Sequence, residues 1–299
     1  MSFFRALIIA LAITVHFSAA QAEEVRIKPN GLTLNAQLDM ATDSLKDGTV
    51  LIVHGTLAHN AMDMLTNLRQ VLNDRGLNTL AINLSLGLDD RHGMYRCEDP
   101  HYHQHLDALD EIASWMDWLK TKGSGPVVLL GHSRGGNQSA RFAAERGHEL
   151  LSKVVLLAPA TWDADKTAAA FEKRNGRPLA ADYKQAKAMV DAGKGKEMMA
   201  KPGLLYCPEA KVSALSFESY YRNDPRFDTP SVLGEIKTPV LVIAGSNDTV
   251  VKDLPAKMEG KADGARIKFE VIDGADHFFL DLFAEDVADH MEEFLGSGS

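Results

Sequence analysis

The chain has 299 residues, 45% hydrophobic and 24% charged, an ordinary globular composition with ample apolar material for a large core. With 32 Lys and Arg against 41 Asp and Glu the formal net charge is −9, and no basic stripe offsets it, so nucleic acid is a poor partner. One α/β domain with an insertion fits this length as well as two domains would.

The first 22 residues stand apart. Arg5 is the only charge before Glu23, an apolar stretch runs from Ala6 to Val15, and Ala20-Gln21-Ala22 has the small-x-small form of a cleavage site. This reads as a signal peptide over 1–22, followed by a domain over 23–295 that begins near Glu23. The apolar run is short for a membrane span, and nothing later resembles one. The expectation is therefore an exported protein, periplasmic or secreted, with no stable membrane insertion after cleavage. Without the leader, 31 bases face 41 acids, a net charge of −10. Residues 296–299, Gly296-Ser297-Gly298-Ser299, read as a flexible tail or an expression scar and are left out of the fold.

Along the mature chain, Val25 to Lys28 and Leu32 to Leu38 nearly alternate around Asn30-Gly31, the signal of an antiparallel hairpin. Thr49 to Val53 predicts a buried strand, Asn60 to Asp74 a helix closed by Arg75-Gly76, and Asn78 to Leu84 the next strand. Gly87 to His103 is a long polar loop. Leu106 to Lys120 predicts a second helix, with Leu109, Ile112, Trp115, Met116 and Leu119 on one face. Pro126 to Leu130 is a strand, Asn137 to Arg146 a helix, and Lys153 to Leu157 another strand. The pattern breaks over 162–235, which is polar, helix-prone and interrupted by Gly176, Gly193, Gly195 and Pro202-Gly203. It resumes with a strand at Pro239 to Ala244, a helix around Val250 to Met258, a strand at Ile267 to Ile272 and a helix at Ala284 to Leu295. Buried strands alternating with amphipathic helices imply a mostly parallel sheet covered on both faces, and 162–235 reads as a lid or cap above it.

The richest stretch is Gly131-His132-Ser133-Arg134-Gly135-Gly136, entered from a strand and left by a helix. That is the setting a G-x-S-x-G nucleophile turn requires, and side chains at Gly131 or Gly135 would collide with neighbouring strands or block Ser133. A serine hydroxyl needs a general base, and the base needs an orienting partner. His277, between the last strand and the last helix, is the candidate base, ahead of His290 inside the final helix and His148 at the opposite end of the sheet. Asp248 is the candidate acid, a role compatible with capping the segment at Val250. Asp276, Asp224 and Asp228 are weaker alternatives. Oxyanion donors are expected from the backbone N–H of Arg134 and of Thr56.

His54-Gly55-Thr56, Gly131-His132-Ser133-Arg134-Gly135, Asp248 and His277, in that order, resemble the α/β-hydrolase superfamily over about residues 25–295. The resemblance implies an α/β-hydrolase fold: a mostly parallel eight-stranded sheet, helices on both faces and a helical cap insertion after the sixth strand. It also implies two-step acyl transfer on a small-molecule ester, with no cofactor. Serine at the turn argues against the aspartate- and cysteine-based relatives, and the single Gly55 suggests a short oxyanion turn. A thioesterase, amidase or acyltransferase on the same triad, or a non-catalytic binding protein on the same fold, are the competing readings. Leu57, His132, Phe217, Tyr220, Tyr221 and Phe278 are candidate pocket residues, with helical packing the competing role for the aromatic residues of the insert.

His101-x-His103-x-His105 invites a metal reading, but alternate residues share a face only on a strand, and this is a loop. No metal is expected, and the histidines read as loop residues near the mouth of the site. Asp89-Asp90-Arg91-His92 reads as a charged cluster on the same loop, either solvated or shaping the site. Cys97 and Cys207 are two free thiols or a bridge, and export permits the bridge. Cys97 follows a strand ending on the catalytic side and Cys207 lies in the insert. A bridge between them would fasten the cap to the loop.

Overall fold

The computed structural model describes residues 22–296. The expected leader, apart from Ala22, and residues 297–299 lie outside them. In chain order the elements are β1 (Glu23–Ile27), β2 (Leu34–Asp39), β3 (Thr49–Val53), α1 (Asp63–Asp74), β4 (Thr79–Asn83) and α2 (Asp107–Thr121). Next come β5 (Val127–His132), α3 (Arg134–Glu145), β6 (Leu151–Leu157), α4 (Ala164–Asn175), α5 (Leu179–Asp191), α6 (Ala214–Tyr221) and α7 (Thr229–Val232). The chain closes with β7 (Val240–Gly245), α8 (Leu254–Met258), β8 (Ile267–Ile272) and α9 (Leu282–Gly296).

The strands form one eight-stranded sheet in the order β1-β2-β4-β3-β5-β6-β7-β8. β2 pairs antiparallel with β1 and β4, and every other pairing is parallel. All residues of β3, β4, β5 and β7 are buried, as continuous apolar runs covered on both faces require. α1 packs against α9, and α2 against α3. Because β3 to β8 run in parallel, His54-Gly55-Thr56, Ser133, Asp248 and His277 all leave the same edge of the sheet. No helix of the described residues is long and apolar enough to cross a membrane.

Three element boundaries differ from expectation, each for a local reason. α1 starts at Asp63 rather than Asn60, because Asn60 is buried and its Nδ2 donates to the Ala81 carbonyl of β4. α3 starts at Arg134, directly after the nucleophile turn; the poor helix formers Gly135 and Gly136 hid its first turn. α8 is five residues long because Asp248 Oδ1 takes the N–H groups of Val250 and Val251 into a turn.

Residues 162–235 leave the sheet after β6 and return at β7, carrying α4, α5, α6 and the short α7. The irregular stretch between α5 and α6 is bonded to the loop that follows β4. His101 N–H donates to the Lys211 carbonyl at 2.7 Å, Ser213 N–H donates to the His101 carbonyl at 2.9 Å, and Cys97 is disulfide-bonded to Cys207.

Candidate active site

Ser133 sits at φ 54°, ψ −120°, between the last residue of β5 and the first of α3. A positive φ at a non-glycine residue is strained, and the strain is held by close packing on both sides of the turn. A Cβ on Gly131 would lie 2.4 Å from the Gly135 carbonyl oxygen, and one on Gly135 would lie 2.3 Å from the His54 carbonyl oxygen. Glycine at both positions lets α3 approach the sheet closely enough to present the serine.

The expected partners converge on it. His277 Nε2 lies 3.0 Å from Ser133 Oγ, and His277 Nδ1 lies 2.7 Å from Asp248 Oδ2. Nδ1–H donates to the carboxylate, leaving Nε2 to accept from the serine hydroxyl. Burial pushes the Asp248 pKa up, but the bonds from His277 and from the Val251 and Val250 N–H groups outweigh it and hold the carboxyl below its usual range. The other acids are committed elsewhere. Asp276 accepts from the Phe278 N–H, Asp224 pairs with Arg141 and Arg226, and Asp228 with Lys257. His148 faces Asp117.

The chain after β3 supplies the second oxyanion candidate. His54 Nδ1–H donates to the Gly55 carbonyl at 2.9 Å, while His54 Nε2 accepts from the Leu84 N–H and from Arg91, each at 3.1 Å. Burial and the Arg91 charge push His54 down to about 3, so the ring stays neutral in the one tautomer this pattern permits. A peptide unit is planar and trans, so fixing the Gly55 carbonyl aims the Thr56 N–H the opposite way. Among the described residues neither the Thr56 nor the Arg134 backbone N–H has another hydrogen-bond partner. Arg134 is the first residue of α3, where backbone N–H groups are free and the helix dipole favours negative charge.

Three interactions around the site were missed in the sequence. His132 Nε2–H donates to the His277 carbonyl at 2.9 Å and so holds the loop of the base. Burial and the neighbouring His277 push His132 down to about 4, keeping it neutral. Gly245 allows the Asp248 turn and the His277 loop to touch: a Cβ there would lie 2.4 Å from the Ala275 carbonyl oxygen. Its only sequence signal was a glycine closing the strand before Asp248. Arg91, in a cluster expected to be solvated or to shape the site, is buried; it donates to the Leu84, Ala58 and Gly93 carbonyls and to Asn83 Oδ1.

A cavity of about 480 Å³ opens over Ser133 and His277. His132, Tyr221 and Phe278 line it, together with Met62, Met94, Phe171, Leu205, Tyr206 and Val250. Leu57, Phe217 and Tyr220 are buried outside the lining, which corrects their expected role. Tyr220 instead bonds to His103, and Phe217 packs edge-to-face on Phe171. The three loop histidines are also corrected: they are buried, not at the mouth. His101 Nδ1 lies 3.1 Å from His103 Nε2, and His105 Nε2 donates to Asn137 Oδ1 at 3.0 Å.

A mostly parallel eight-stranded sheet, with a strained serine turn between strand and helix and the other site residues on the following loops, defines the α/β-hydrolase fold. The model of the alpha/beta hydrolase family matches residues 50–290, and the chain belongs to that family. Similar solved structures include Est1E from Butyrivibrio proteoclasticus with ferulic acid bound, at TM-score 0.63 and 20% identity over 91% of this chain and 97% of that one. An esterase of Pyrococcus furiosus is similar at TM-score 0.58 and 20% identity over 92% of each chain. A monoacylglycerol lipase of Paleococcus ferrophilus is similar at TM-score 0.59 and 18% identity, over 93% of this chain and all of that one.

Proposed function

We propose that the chain is an exported serine hydrolase that cleaves carboxylic esters through an acyl-enzyme. The observation that carries this is the unbroken relay from Asp248 to His277 to Ser133, at 2.7 and 3.0 Å, on the floor of a largely apolar cavity. Membership of the family and the activities of the esterase and the lipase among its structural neighbours support the same reaction class.

In this reading Ser133 Oγ attacks the ester carbonyl as its proton passes to His277 Nε2. The oxyanion is met by the Thr56 and Arg134 N–H groups. His277 then gives the proton to the departing alkoxide, and the acyl group remains on Ser133. Water repeats the cycle and releases the acid, while Asp248 keeps Nδ1 protonated and stabilises the imidazolium. Residues 162–235 act as the cap that forms the far wall of the cavity. The leader-like 1–22 segment and the disulfide both support export.

A fluorophosphonate probe tests the assignment. The wild-type protein should be labelled and Ser133→Ala should not, with 4-nitrophenyl ester turnover lost in parallel and the melting temperature kept. Undiminished turnover in Ser133→Ala would sink it.

A further inference from the structure

The cavity carries a charge that the triad leaves unused. Two arginines, Arg134 and Arg174, line it, and among the described residues of that lining there is no Asp or Glu. The chain as a whole is acidic, so these cations do not reflect general basicity.

Arg134 is the deeper of the two. Its Nε donates to Thr56 Oγ1 at 3.1 Å, its Nη1 faces His105 Nδ1 at 3.4 Å, and its guanidinium lies 5.5 Å from the Tyr220 ring centroid. All three neighbours are uncharged. Burial and the Arg134 charge hold His105 well below its usual range, and burial raises the Tyr220 phenol. Among the described residues no carboxylate pairs with Arg134 and its Nη2 has no partner. A guanidinium keeps its charge at any working pH and offers five N–H donors in a planar fork that matches a carboxylate. Arg134 is half-buried and has no anion beside it, so this arrangement suits a site whose anion arrives with the ligand.

Arg174 stands at the rim, on α4. Its Nη1 donates to the Leu205 carbonyl, and among the described residues it has no acidic partner. Tyr221 lines the wall within the electrostatic reach of both arginines.

We propose that the substrate is an ester carrying a second, free carboxylate, which Arg134 binds inside the cavity while the ester carbonyl rests on Ser133 and Arg174 draws the anion in at the rim. This rests on the hydrolase reading above and adds the substrate class to it.

The test compares kcat/KM within matched pairs. Monomethyl succinate, glutarate and adipate are set against methyl butyrate, valerate and hexanoate, with the released acid followed by titration. A second arm moves the carboxylate to the leaving group, comparing 4-acetoxybenzoate with phenyl acetate. At least one carboxylated ester should be preferred by an amount on the order of 10–100-fold, the worth of a charged hydrogen-bonded contact. The arm in which the preference appears assigns the carboxylate to the acid or to the alcohol. In Arg134→Gln the ratio should fall toward one. The ratio is taken within each variant, so a general loss of rate cancels. If Arg134→Gln does not fold, Arg134→Lys and the wild-type comparison decide. Neutral esters turned over equally well in both arms, or a preference that survives Arg134→Gln, overturns the proposal. Failure of every ester, with no fluorophosphonate labelling, removes the hydrolase reading instead. Titration calorimetry with glutarate then decides on the anion site: binding lost in Arg134→Gln keeps it, and no binding overturns it.

Discussion

Several side chains around the Ser133 turn have only one role open to them. Asp248 uses Oδ1 to cap the Val250 and Val251 N–H groups and Oδ2 to hold His277 Nδ1, so the imidazole has a single tautomer available. In Asp248→Asn the amide can still cap the turn, but it no longer stabilises an imidazolium or enforces Nδ1–H. The expected loss is on the order of 10³–10⁴ in kcat with little change in melting temperature. Steady-state kinetics beside a thermal melt checks both halves. Gly245→Ala should fail differently. Its Cβ would be driven against the Ala275 and Asp276 carbonyl oxygens, which are backbone atoms and cannot swing aside. We expect it to cost roughly 1–3 kcal/mol of stability, read by urea denaturation, together with most of the activity. Ser133, Asp248 and His277, which meet at 2.7 and 3.0 Å, could be singled out in the sequence because each follows an apolar strand, in a chemically sensible order. Gly245, His54 and His132 were not, because their roles depend on which loops touch, and loop contacts leave no periodic trace.

At the scale of elements, the loop from Leu84 to Leu106 is the part least readable from its residues. Its polarity predicts solvent exposure, yet Arg91, His101, His103 and His105 are buried. Arg91 is buried against backbone carbonyls, His103 against His101 and Tyr220, and His105 against Asn137, while His101 Nε2 has no partner among the described residues; a sum of hydropathies cannot register polar groups that find such partners. A strand such as Thr49–Val53, buried throughout, lies where its apolar run puts it, because burial alone decides its place. The start of this loop is tied to α2 by Glu111, whose carboxylate accepts from the Ser85 N–H at 2.8 Å and from Ser85 Oγ at 2.5 Å. Burial pushes Glu111 up from 4.5 to about 7, against the opposing pull of the Ser85 bonds. The folded state therefore holds this proton more tightly than the unfolded chain does. The group's contribution is fully present below about pH 4.5 and is lost as pH rises to about 7, a change on the order of 3 kcal/mol. Glu111→Gln, which is neutral throughout, should lose that slope. Melts at pH 4.5, 6 and 7.5 should show the variant gaining on the wild type as pH rises; parallel curves would rule the linkage out.

Across the whole molecule, the cavity wall depends on two segments that the sheet does not hold directly. One is the loop after β4, and the other is the stretch between α5 and α6 that carries Leu205 and Tyr206. Their covalent tie is Cys97–Cys207, 110 residues apart in sequence and 5.2 Å apart at Cα. In the chain-entropy model a loop of that length contributes at most roughly 4–5 kcal/mol, chiefly by restricting the unfolded chain. The native state keeps other ties when the bridge is removed. His101 still bonds to Lys211 and Ser213, and Arg174 still donates to the Leu205 carbonyl. A chain without the bridge should therefore fold, with a melting temperature lower by on the order of 10 °C. The site residues on the sheet edge are untouched by this change, whereas the Leu205-Tyr206 wall is loosened. KM should thus rise for esters long enough to reach that wall, while a short acetyl ester keeps its kinetics. Cys97→Ser with Cys207→Ser, measured beside the reduced wild type, separates the two effects. A melting temperature unmoved by reduction, once both thiols titrate as free, would show that the noncovalent ties alone hold the two segments together. The bridge itself is compatible with secretion, since disulfides persist in oxidising compartments.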